Sequence, residues 1–98
     1  MRGRRTVVID CSAVTSVPEF WQLYLDIATP ENAAIFGRNL DAFWDAIEFE
    51  GPGWPGHVEL TFANSSELAA IHLANGKSLL DELKKIADQA TLVPIILQ

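Results

Sequence analysis

Asp41, Asp45 and Glu48 are the residues whose types and spacing could do chemistry. At about 100° per residue, the stretch from Ile35 to Glu48 gathers these carboxylates within about 60° of arc, beside an apolar arc of Leu40, Phe43, Trp44 and Ile47. Carboxylates on adjacent helical turns have two possible uses. One is acid/base work, as in glycoside hydrolysis, where the two carboxyls face each other roughly 5 to 9.5 Å apart across a cleft. The other is recognition of a cationic surface, since carboxylates make strong, charge-assisted hydrogen bonds to guanidinium and ammonium groups. A single exposed helix can supply the spacing but not the cleft, so the second use is favoured and no catalytic residue is expected.

The position of each acid sharpens this. Asn39 is a good N-cap, and Gly37 before it is expected to let the backbone turn sharply. Asp41 then falls in the first turn, where the helix dipole favours a carboxylate. Asp45 has no such excuse: it lies one turn further in and repels Asp41 at i,i+4, at a cost of roughly 0.2 to 0.5 kcal/mol. No Lys or Arg interleaves the stripe. A helix selected only to fold would alternate its charges, so the stripe suggests a surface awaiting cations. The remaining reactive types are isolated. His57 and His72 have no second ligand at metal-binding spacing, and Cys11 has no basic neighbour in sequence to activate it. Neither a metal nor a cofactor is expected.

Gly37, Asn39-Leu40-Asp41-Ala42 and Trp44-Asp45 resemble the motif Y-G-x-N-L-D-A-L-W-D of the barstar family, small intracellular inhibitors of the ribonuclease barnase. The likeness extends loosely over the whole chain to the ending Ile95-Ile96-Leu97. It implies a barstar-like fold and a stoichiometric 1:1 complex with a small, basic, secreted, guanyl-specific ribonuclease. By this resemblance Asp45 stands in for the scissile phosphate and Asp41 pairs with cations at the base-binding side. Asn39, Ala42 and Trp44 pack alongside, with Ile35 and Glu48 completing the partner-binding set. Two positions depart from the pattern: Ile35 replaces an aromatic, and Arg38 replaces an acid. An acid that the family uses on its last helix could align with Asp81, Glu82 or Lys85. A second reading stays open, an acidic interaction module for a basic protein that is not a nuclease.

Composition agrees with an inhibitor. Ninety-eight residues, 49% hydrophobic and 20% charged, suit a single domain spanning 1–98. The net charge of −6 argues against binding nucleic acid, which needs cations to neutralise phosphates. Arg2, Arg4 and Arg5 supply three of the seven cations from what reads as a solvated tail over residues 1–5, so the body is more acidic still. One cysteine excludes an internal disulfide and fits the cytoplasm, and no apolar run reaches membrane-spanning length. A monomer is expected when the partner is absent.

The elements that must position the stripe follow from patterning. Thr6 to Asp10 reads as a strand covered on both faces, hence central. Ser16 with Glu19 and Pro18 opens an amphipathic helix, marked by Phe20, Leu23, Tyr24 and Ile27 at i, i+3, i+4 and i+7, that runs to about Ala28. The loop from Pro30 leads to the acidic helix, and Gly51 to Gly56 forms another loop, with Trp54-Pro55 expected cis. His57 to Phe62 alternates as a strand. Asn64-Ser65-Ser66-Glu67 reads as a capping box for a short helix reaching about Asn75-Gly76. A further helix from Lys77 buries Leu79, Leu80, Leu83, Ile86 and Ala87, and Leu92 to Leu97 is a last strand. The sum is an α/β fold, a small three-stranded parallel sheet packed with about four helices.

Overall fold

The computed structural model describes residues 4–98, so Met1, Arg2 and Gly3 of the expected tail lie outside the described residues. Arg5, assigned by sequence to that tail, instead opens a strand and stands opposite Val58. The elements run β1 (Arg5–Asp10), α1 (Val17–Ala28), α2 (Leu40–Phe49), β2 (Val58–Ala63), α3 (Leu79–Gln89) and β3 (Ile95–Leu97). Two 3₁₀ turns, Ala33–Ile35 and Ser65–Ala70, fill the connections. The strands form one parallel sheet in the order β1-β2-β3. Parallel neighbours need a crossover rather than a hairpin. Here α1 and α2 make the first, while Ser65–Ala70 and α3 make the second.

One core joins these layers. Ile9, Leu60 and Phe62 of the sheet are fully buried against Phe20, Trp21 and Tyr24 of α1, Phe43 and Ile47 of α2, and Leu79 and Leu83 of α3. Aromatic rings bind α2 to α1: Phe43 lies 5.5 Å from Trp21 and 5.3 Å from Tyr24, the second contact edge to face. Such pairs add roughly 0.5 to 1.5 kcal/mol to the burial of the rings themselves. The apolar arc read from the sequence thus faces inward, which turns the acidic side of α2 out.

Three expectations are corrected. β1 is an edge strand and β2 the central one; Val7 and Ile9 point inward while Val8 is 55% exposed. An apolar run cannot distinguish a strand covered twice from one covered once, and Val8 lies on the sheet face where it and Ile96 on the other edge are exposed while the central Thr61 between them is buried. The expected helix after Asn64 is only the 3₁₀ turn Ser65–Ala70, and its capping box does not form. Asn64 sits in the left-handed region at φ 56° and gives its side-chain amide to Asp10 (2.8 Å), while Ser65 turns to the Gln98 carbonyl. His72 is consequently not helical, and bridges Ser78 instead. Finally, every peptide bond among the described residues is trans, Trp54-Pro55 included. The turn there is made by Gly53 and Gly56, at φ 95° and 91°, so no cis bond is needed.

Candidate functional site

α2 is started by the residue the sequence nominates. Asn39 has extended backbone angles, and its side-chain oxygen accepts the Ala42 amide at 2.7 Å. Its own side-chain amide donates to the Gly37 carbonyl at 3.2 Å. The sharp turn, however, is not made at Gly37. Arg38 adopts φ 55°, and Gly37 is needed for closeness: a Cβ there would lie 3.0 Å from that of Ala42. Arg38 itself donates to Gln22 on α1 at 3.0 Å.

Asp41 and Asp45 stand exposed on the outer side of α2. Among the described residues the one ion pair is Lys85 with Glu82, so no intramolecular cation neutralises either aspartate. Asp45 lies in the C-terminal half of the helix, toward the negative end of its dipole, with no basic residue in the last turn. Its main chain ends the helix: the Asp45 carbonyl accepts the amides of Glu50, at φ 56°, and of Gly51 at 3.2 Å. Its carboxylate rests on Gly51 so closely that a Cβ there would collide with Asp45 Oδ2. Sequence reading missed Gly51, since its part depends on the chain folding back on the helix end.

Glu48 is placed differently from its two neighbours. Its carboxylate accepts the Thr91 amide at 2.9 Å, the Leu92 amide at 3.2 Å and the Thr91 hydroxyl. Those bonds, the Thr91 hydroxyl first, hold the Glu48 carboxyl below its ordinary range. Glu48 thus ties α2 to the segment between α3 and β3, and the outward stripe consists of Asp41 and Asp45.

Apolar groups frame the two acids. Trp44 is half-buried against the core, and Phe49, which sequence reading passed over, is 67% exposed with its ring edge-on to Trp44 at 6.4 Å. Ile35 is 69% exposed at the end of the 3₁₀ turn before α2, and Ala42 is partly buried. Between α2 and α3 runs a groove of about 260 Å³ lined by Asp41, Trp44, Glu82, Lys85 and Gln89 among others. Of the three last-helix positions left open by the sequence, Glu82 and Lys85 line this groove. The Lys85 ammonium lies 3.0 Å from Glu82 Oε2, as an ion pair without hydrogen-bond alignment.

The loop after α2 is fixed from behind. The buried Tyr24 hydroxyl donates to the Gly53 carbonyl at 2.7 Å, the Gly53 amide to Glu31 at 2.8 Å and the Glu31 amide to Trp54 at 2.9 Å. Neither of the two depressions flanking α2 is lined by both Asp41 and Asp45. Cys11 is fully buried, and burial, aided by Asp10, pushes its thiol up to about 11, away from reactive thiolate. Among the described residues no three His, Cys, Asp or Glu side chains converge as metal ligands, and no helix is long and apolar enough to cross a membrane.

A three-stranded parallel sheet under helices, with an exposed pair of aspartates on the outer side of one helix, sets the class of this small α/β protein. The chain belongs to the Barstar family, described as barnase inhibitor, whose family model matches residues 4–97. No curated protein matches it.

Proposed function

We propose that this chain is a stoichiometric protein inhibitor of a secreted, basic, barnase-like guanyl-specific ribonuclease. It acts in the cytoplasm as a monomer that forms a 1:1 complex, without turnover or cofactor. The observation that carries the reading is the exposed pair Asp41 and Asp45, neither of which forms an ion pair with a cation among the described residues. A ribonuclease must hold a phosphodiester with cationic and hydrogen-bonding groups, so carboxylates on a rigid helix can occupy the same place. Asp45 takes the site of the scissile phosphate and Asp41 the cations on the base-binding side. Asn39 and Ala42 set the start of the helix, and Trp44 and Ile35 supply apolar contact.

The test is titration of purified protein against a panel of barnase-type ribonucleases, barnase included. A sharp 1:1 loss of RNA cleavage is expected. Asp45→Ala should weaken it by about 2 to 5 kcal/mol, because partner cations are left desolvated and unpaired; the barnase–barstar pair itself helps to set that range. Glu31→Ala, exposed but outside the stripe, should change little. Equal small effects from both substitutions would end the mechanism.

Arg38 favours a second reading. It stands where the family pattern has an acid and is turned to Gln22 of α1, so it removes a favourable charge toward a nuclease's cationic cleft and leaves a basic protein that is not a nuclease as the other partner. Binding of such a protein at 1:1, with no inhibition across the panel, would establish that alternative.

A further inference from the structure

Residues 41, 45 and 49 are spaced i, i+4, i+8 on α2, so that Asp41, Asp45 and Phe49 form one outward ridge stepping about 6 Å along the axis each time. Two carboxylates are followed on this ridge by an aromatic ring that is 67% exposed. An exposed Phe at the last residue of a helix gains little for folding, since most of its ring stays in water. Trp44 nevertheless meets it edge-on at 6.4 Å, which restrains the ring beside the acids. Glu48 is drawn away to Thr91 and Leu92, and Glu50, exposed at the helix C-cap, follows the ring rather than interrupting the ridge.

A carboxylate followed by a flat ring matches what single-stranded RNA, alternating phosphate and base, offers to a cleft with a phosphate subsite and a neighbouring base-stacking platform. Resting on the inhibitor reading above, we propose that Phe49 is a third anchor of that interface and stacks in a nucleobase subsite of the ribonuclease, next to the phosphate site filled by Asp45. The partner implied is one whose cationic cleft continues into an aromatic or guanidinium surface able to take a ring face to face. A cleft that ended at its phosphate cations would leave Phe49 in water.

The experiment compares inhibition of the barnase-type panel by the parent chain, Phe49→Ala, Phe49→Leu, Phe49→Trp and Asp45→Ala, with a melting curve for each. Phe49→Ala should raise the inhibition constant tenfold to a hundredfold at an unchanged melting temperature. Phe49→Trp should restore tight inhibition, whereas Phe49→Leu, apolar but not flat, should stay at least fivefold weak. Full inhibition by Phe49→Ala, with Asp45→Ala still defective, overturns the proposal and leaves the inhibitor reading standing. Equal inhibition by the Leu and Trp variants overturns stacking as the mode of contact. Failure of the parent chain to inhibit any enzyme of the panel overturns both readings.

Discussion

Asp45 is costly where it sits. It faces Asp41 one turn away, lies toward the negative end of the dipole and has no cation paired with it among the described residues. Gly51 keeps its carboxylate in place by having no side chain. The Gly51 backbone is not in the left-handed region, so Gly51→Ala leaves the fold intact but displaces Asp45 Oδ2. Inhibition should fall at least tenfold although no charge has changed. The same substitution made on Asp45→Ala should add nothing, because the carboxylate it displaces is gone; additive losses in a double-mutant cycle would show that Gly51 acts by another route. Neither Gly51 nor the engagement of Glu48 could be read from the sequence. A helical wheel groups Glu48 with the aspartates, and only the fold brings Thr91, 43 residues further on, within reach of it.

α2 as an element was legible because what defines it is local. The cap, the first-turn acid and the inward arc all lie within a few residues of one another, and the structure places Asn39, Asp41, Phe43 and Ile47 accordingly. Asn39→Ala should cost about 1 kcal/mol of stability by orphaning the Ala42 amide, seen as a lower urea midpoint, whereas Asn39→Asp should largely retain it. Local patterning failed where a distant group intervened. Asn64 looks like a helix cap, yet its amide goes to Asp10 on a strand 54 residues earlier, and a 3₁₀ turn results. Likewise β1 is as apolar as a central strand, and only the sheet order shows Val8 to be on an open side.

At the level of the molecule, three carboxylates are held below their ordinary range by hydrogen bonds: Asp10 by Asn64 and Ser12, Glu19 by Thr15, and Glu48 by Thr91 and Leu92. A lowered folded-state pKa contributes stability above the unfolded value, and that contribution is lost as pH falls through the folded one. The melting temperature should therefore be flat above about pH 5 and fall below about pH 4, near and under the ordinary carboxylate values. Glu48→Gln should melt lower than the parent at neutral pH, with the gap closing in acid as the parent's carboxylate is protonated. A gap of constant size from pH 7 to pH 3 would remove Glu48 from that account. The loop behind Asp45 carries one more implication. Because Tyr24, Glu31 and Trp54 already stitch it to the body, any partner docking there would meet a cast that has set, and little of its grip would be spent on stilling a moving target.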